Sequence, residues 1–210
     1  MFGNSFFYEF VTLYVILDPV ATIPVFLAVT AGLTRSRQLA VAGMALLISF
    51  AILMFFILLG DRLLDALHVP MASFQLAGGL VLLLFGLQMT LGKVTETALS
   101  MPPEATLVQR SLFPLAMPSI AGAGSILTVM LLADNTDRTF AEQVQTTTVL
   151  VACLAALFVG FVLASFLSRL LGRGGIEIVS RVFGLILTSI AVTNLVVAIK
   201  LSFGLPVPGT

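Results

Sequence analysis

Five stretches of this chain run without a charged residue for long enough to cross a bilayer, which takes about 20 residues. They are Leu39–Leu59, Val69–Gly92, Ser111–Ala133, Gln143–Ser168 and Val182–Ile199. A sixth run, Phe10–Thr34, is equally apolar but contains Asp18, Pro19 and Pro24, where an unbroken helix cannot continue. The sequence therefore predicts an all-α integral membrane protein of six transmembrane helices, the first of them broken. Composition leaves little for anything else: 59% of the 210 residues are hydrophobic and 10% charged, and the mean hydropathy is +1.15. Residues 1–210 are expected to form a single membrane domain.

Lys plus Arg and Asp plus Glu each total ten, so the net charge is zero and there is no basic face for nucleic acid. The single cysteine, Cys153, lies in an apolar run, which excludes an intrachain disulfide and leaves no Cys/His set for a metal. No metal or other cofactor is expected. The N-terminus MFGNSFFYEF lacks a basic region, so no removable signal peptide is expected.

With six spans, the loops after the first, third and fifth carry Arg35, Arg37, Lys93, Arg110, Arg169, Arg173 and Arg181. The other side has Arg62, Arg138 and Lys200. By the positive-inside rule the richer side is cytoplasmic, which places both termini outside. The acids Asp61, Asp65, Asp134, Asp137 and Glu142 then fall on the outer side. Each of these charges is expected to be solvated or at headgroup level.

Laid against itself, the chain aligns Asp18-Pro19 with Met117-Pro118, and Gly79 with Gly184, followed by Gln88 in one half and by Thr193 and Asn194 in the other. Each half holds three spans, an odd number, so the second half enters from the opposite side and the halves form an inverted repeat, a common plan for alternating access. The first repeat covers 1–92, a cytoplasmic connecting loop 93–110, the second repeat 111–200 and a tail 201–210. The fourth helix, like the first, should be broken.

The two interruptions carry the chemistry. LDPVATIP (Leu17–Pro24) sets an acid, two prolines and small residues in the middle of a span, and MPSIAGAGS (Met117–Ser125) does the same with Pro118, Gly122 and Gly124. Proline removes a donor and glycine loosens the helix, so both segments free backbone groups at membrane depth, which is tolerated only against protein or a polar cavity. Asp-Pro is a good cap and first residue, so Asp18 should start a second half-helix whose positive end points to the midplane. Two such ends suit a substrate carboxylate, and freed carbonyls suit an ammonium group or a cation. The candidate binding residues are Asp18, Pro19, Ala21, Thr22, Pro118, Ser119, Gly122, Ala123, Gly124 and Ser125. Plainer roles stand beside these: Asp18 as a cap only, and Thr22, Ser119, Ser125 and Thr128 bonded back to the preceding turn.

Ala152, Ala156, Gly160 and Ala164 recur every four residues along the fifth span and permit a close helix approach, more naturally within the chain than with a second copy, although a homo-oligomer stays open. Gln88 and Asn194 could line a pathway, but an interhelical hydrogen bond is the leading expectation for each. His68, alone in a predicted outer loop, has no ligand role.

The motifs ILDPVATIPVF, QLAGGLVLLLFGLQM, FPLAMPSIAGAGSI and GGIEIVSRVFGLIL, in that order over nearly the whole chain, resemble the successive signatures of the MarC/SnatA family, within the wider grouping of LysE-like exporters. The resemblance implies a six-span inverted-repeat fold in the cytoplasmic membrane and transport of small neutral amino acids such as glycine and alanine. The family's Asn/Asp-Pro signature falls on Asp18 and Pro19, with Ala21 in place of its following glycine. Its Gly-Pro-Gly falls on Gly122, Ala123 and Gly124, so the middle proline is missing. Both departures favour a more regular helix.

The leading expectation is a secondary transporter for a small zwitterionic solute, coupled to a proton or sodium gradient, since no GxxxxGK[ST] motif is present. The alternative is a non-transporting assembly or regulatory membrane protein whose broken helices are structural kinks. An intramembrane enzyme is disfavoured: no HExxH occurs, and Asp18 reads as the only acid well inside a span.

Overall fold

The computed structural model describes residues 2–93, 106–133 and 140–206, with all their side chains except those at 2–5, 20, 21, 61, 123, 131, 140–142, 165, 167–173, 176 and 180. Most of the predicted connecting loop, the end of the tail, and Asp134, Asp137, Arg138 and Glu142 therefore lie outside the described side chains.

The described residues are helical almost throughout. The elements are α1 (Phe2–Ile16), α2 (Pro19–Val29), α3 (Arg35–Ala66), α4 (Met71–Thr90), the short α5 (Leu107–Arg110) running into a kinked segment (Ser111–Ile120), α6 (Ala123–Leu132) and α7 (Phe140–Ser202). Four stretches are long and apolar enough to span a bilayer: Arg35–Gly60, Met71–Thr90, Gln143–Ala164 and Glu177–Ser202. A fifth is a pair, Leu107–Ile120 and Gly124–Met130, bent by 61°. These match the five charge-free runs. The sixth run is divided between α1 and α2, each too short to cross alone, so length and composition support four or five spans rather than six.

Contacts set the helix directions. Ser111 donates to the Val41 carbonyl (3.1 Å), Ser49 to that of Ala116 (3.5 Å), and Gly60 lies against Met130, so α3 runs parallel to the 111–130 segment. Ile16 meets Gly124 and Thr22 meets Ser119, so α1–α2 runs antiparallel to that segment. On α7, Thr146 lies at Glu9, Cys153 at the Phe10 carbonyl and Phe161 stacks on Phe26 at 4.5 Å, so this stretch runs parallel to α1–α2. Further along α7, Gly184, Thr188 and Leu195 meet Thr90, Gly86 and Gly79, which makes the second stretch antiparallel to α4. Across the short turn from α3 to α4, Phe74 reaches back to Phe56 at 6.1 Å, so α4 folds back along α3, antiparallel to it. The two stretches of α7 therefore oppose one another, and the chain turns back between Phe161 and Gly184. A straight helix of its 63 residues would reach roughly 95 Å, about three bilayer cores.

Small residues permit the tightest of these approaches. A Cβ on Gly184 would sit 2.5 Å from the Thr90 backbone nitrogen, and one on Gly86 2.9 Å from that of Thr188, so α4 and the second stretch of α7 touch backbone to backbone. Within the small-residue strip of the first stretch, Gly160 faces Ile23 of α2, an intrachain contact as expected.

Arg110 departs from expectation. It is buried, not solvated, and its guanidinium donates to the Val29 carbonyl at 3.2 Å, at the end of α2. A cation there satisfies a last-turn carbonyl and complements the negative end of the helix dipole. Gln38 and Thr30 complete the same end, donating to the Thr30 and Phe26 carbonyls. By contrast, Arg181 is exposed and pairs with Glu177 one turn away, a contact of small energetic value.

Replacing Gly86 or Gly184 by alanine should lower stability in detergent by about 1–3 kcal/mol, because backbone must move. Gly43→Ala, where a Cβ meets open space, should be neutral or stabilising by up to about 1 kcal/mol. Thermal melts followed by size-exclusion chromatography separate the two outcomes.

A candidate site where two broken helices meet

The first break forms because Pro19 has no amide hydrogen and disfavours helical backbone at the residue before it. Leu17 N–H still bonds to the Leu13 carbonyl, closing α1, and Thr22 N–H bonds to the Asp18 carbonyl, opening α2. Between them Asp18 sits at φ +45°, the left-handed region that Asp tolerates better than most residues. Asp18 thus ends one helix and begins the next, as expected for the start of a half-helix, with Pro19 as its first residue.

The second break has two prolines. Phe113 (φ −128°, ψ 132°) and Met117 (φ −132°, ψ 126°) are extended, each directly before a proline, and both peptide bonds are cis. Ala121 N–H reaches back five residues to the Ala116 carbonyl, and the extended Gly122 then caps α6, its carbonyl accepting from Ile126 N–H. Gly122 is required by space: a Cβ there would lie 2.4 Å from the Pro118 carbonyl oxygen. Gly124 has no such constraint, since its Cβ would meet Ile16 at an ordinary 3.6 Å.

The breaks meet. Ser119 donates across to Thr22 Oγ1 at 3.2 Å, and the Thr22 hydroxyl donates to the Leu17 carbonyl at 3.1 Å. Thr22 and Thr128 thus bond to the backbone of an earlier turn as the plainer reading held, whereas Ser119 bonds between the halves. A cavity of about 410 Å³ opens beside this junction. Of the ten candidates, Asp18, Thr22, Pro118, Ser119, Gly122, Gly124 and Ser125 line it. Pro19 does not, and the side chains of Ala21 and Ala123 lie outside the described set.

Two polar residues complete the lining that sequence reading assigned elsewhere or passed over: Gln75 on α4 and Asn194 on α7. Neither makes a side-chain hydrogen bond among the described residues, so the interhelical bond expected of Asn194 is not found there. Gln88 is exposed and outside the cavity. Gln75 was legible in principle, since it shares one helical face with Gly78, Gly79 and Leu82, all lining residues. Glu9 is a second omission. The α1 segment buries it to 4% exposure, so Asp18 is not the only acid inside the apolar bundle.

The chemistry of the cavity is two-sided. Asp18 and Gly122 precede α2 and α6, so two helix N-termini border it, and the first-turn amides at Ala123, Gly124 and Ser125 have no carbonyl partner within α6. Such a terminus receives a carboxylate. The Asp18 carboxyl, its Oδ2 shielded from solvent, supplies the opposite polarity, and hydroxyl and amide groups lie between.

A helical bundle of several membrane-spanning stretches around a partly enclosed cavity, largely apolar with a few polar groups, defines an integral membrane protein. Over residues 3–203 the chain matches the family described as MarC family integral membrane protein. It belongs to that family. Similar proteins include a UPF0056 membrane protein of Aquifex aeolicus, 32% identical over 95% of this chain and 94% of the relative. Another UPF0056 membrane protein, from Pyrococcus abyssi, is 30% identical over 96% and 98%. The UPF0056 membrane protein YvbG of Bacillus subtilis is 28% identical over 87% and 88%. No solved structure matches the chain.

The backbone at Asp18 gives a test of the first break. Asp18→Asn keeps a residue that tolerates positive φ and should leave the melting temperature unchanged, whereas Asp18→Val should cost about 1–3 kcal/mol. Likewise Gly122→Ala should destabilise by about 1–3 kcal/mol and Gly124→Ala by much less.

Proposed function

We propose that the chain is a secondary transporter of small neutral amino acids, of the glycine and alanine class, across the cytoplasmic membrane, driven by an ion gradient. The observation that carries the reading is the Ser119–Thr22 bond joining two helix breaks beside a cavity of about 410 Å³. Broken helices with N-termini toward a shared cavity are the pattern of a solute site between repeats. The cavity suits a zwitterion: first-turn amides of α6 for the carboxylate, Asp18 for the ammonium group, and no room requirement beyond a small side chain. Its volume falls in the range of small-molecule sites, about 300–1,000 Å³, and leaves space for water beside so small a solute.

On this reading α1 and α2 together form a sixth, broken span. The helix directions support it. The order α1–α2, α3, α4 alternates in direction, and the order 111–132, first stretch of α7, second stretch of α7 alternates in the opposite sense, as two inverted three-span repeats require. The basic loops Arg35–Arg37 and Lys93 to Arg110 then face the cytoplasm and both termini face out. An impermeant thiol reagent applied to intact cells, in a Cys153→Ser background, should label a cysteine placed at Leu205 and spare one placed at Arg37.

Transport is tested by counterflow of labelled glycine and alanine in proteoliposomes. Saturable exchange is expected in the wild type, reduced at least tenfold in Gly124→Leu, whose side chain fills the cavity, and reduced in Asp18→Asn without loss of fold. No exchange by wild-type protein that elutes as a single folded species would overturn the proposal in favour of a non-transporting assembly or regulatory protein.

A further inference from the structure

The cavity is larger than the solutes its polar end would hold. At about 410 Å³ it has room for on the order of ten waters, of which a glycine or an alanine displaces only a few. What fills the remainder depends on the side chains that face it, because a trapped water needs several polar partners.

The wall formed by α4 and the second stretch of α7 shows where those side chains stand. Gly79 meets Leu195, Gly86 meets Thr188 and Gly184 meets Thr90, three contacts in one antiparallel register. In that register Leu82 opposes Val192, so Leu187, Ile190 and Leu82 follow one another over roughly 8 Å of the wall. All three line the cavity, and Leu187 is 5% exposed. The two amides of the wall lie beyond this apolar strip, Asn194 roughly 3 Å and Gln75 roughly 10 Å past Leu82.

Two further contacts give the depth of the second break relative to the strip. Phe74 lies against Phe56 at 6.1 Å, and Gly60, one turn further along α3, lies against Met130. Met130 is therefore about level with the start of α4. The start of α6 at Gly122 is then roughly 12 Å deeper, at the depth of Gly79 and Leu82. The first-turn amides that suit a carboxylate thus stand at one end of the apolar strip.

A solute held there by its carboxylate and, through Asp18, by its ammonium group has Leu82, Ile190 and Leu187 before its side chain. Asp18 is the one ionisable residue among the described lining residues, so a charged side chain would meet no further counter-charge. A hydrocarbon side chain, by contrast, gains about fourfold in affinity for each methylene it buries. We infer that the site is matched to an amino acid with a branched aliphatic side chain, of valine to leucine size, and holds it more tightly than glycine or alanine, with Leu82, Leu187 and Ile190 as the side-chain pocket. The inference rests on the transport reading and narrows its substrate class.

The test is competition by unlabelled glycine, alanine, valine and leucine against exchange of labelled alanine in proteoliposomes, with the melting temperature of the purified protein measured in each. In the wild type, leucine is expected to halve the exchange at a concentration about tenfold or more below that of alanine, and to raise the melting temperature further. Leu187→Asn and Ile190→Asn, which put an amide of similar size into the strip, should each bring the leucine-to-alanine ratio to within about threefold of unity. The ratio is read within one protein and is independent of its overall rate. Ile190, at 40% exposure, accepts the change even where Leu187→Asn fails to fold. Gly43→Ala, outside the lining, should keep the wild-type ratio. The inference is overturned, with the transport reading left standing, if the wild type exchanges alanine but leucine competes no better than alanine. It is also overturned if the advantage of leucine persists unchanged in the folded asparagine variants. If no amino acid exchanges or raises the melting temperature of the folded wild type, both readings fall together.

Discussion

Inside a bilayer a backbone amide or carbonyl released from its helix has no water to turn to. That constraint explains why the two breaks in this bundle occur together. The Leu17 carbonyl, freed at the first break, accepts the Thr22 hydroxyl, and Thr22 in turn accepts from Ser119 at the second. Both breaks also border a cavity whose lining includes hydroxyl, amide and carboxyl groups. At the opposite end of α2 the buried Arg110 does the same service for the Val29 carbonyl. One requirement, that polar backbone be met by protein or by a polar space, thus accounts for the placement of Ser119, Thr22 and Arg110.

The spans were legible because charge-free runs of this length have no other common use, and the first break because Asp-Pro leaves helical backbone few options. The second break showed its prolines and glycines but not its extended backbone at Phe113 and Met117, nor the five-residue return bond from Ala121 to Ala116. Less legible were the charges. A hydropathy reading treats a charged residue as the edge of a span, so Arg110 was expected at the surface and Glu9, just before an apolar run, was passed over. Both are buried, each held by groups distant in sequence: Gln145 and Thr146 for Glu9, Val29 for Arg110. Gln75 escaped, and Asn194 was given an interhelical bond ahead of a pathway role, for a related reason: a single amide in an apolar helix gives no sign of which face it occupies until the neighbouring helices are in place.

The candidate site draws on more of the chain than its two motifs suggest. Asp18, Ser119 and the α6 N-terminus come from the breaks, but Gln75 and Asn194 come from regular helices opposite them. The broken segments contribute backbone polarity and the regular helices contribute side-chain amides. The apolar share of the lining, including Leu82, Leu187 and Ile190, limits how polar a bound solute can be along its remaining surface.

The glycine contacts between α4 and the second stretch of α7 have a mechanical consequence. With Gly86 against the Thr188 backbone and Gly184 against that of Thr90, the two backbones touch directly at two places, and neither helix can slide past the other there without lifting backbone off backbone. They behave as one strut. The cavity therefore has a stiff wall, carrying Gln75 and Asn194, and a jointed wall, carrying Asp18 and Gly122, and whatever changes its shape must bend the jointed one.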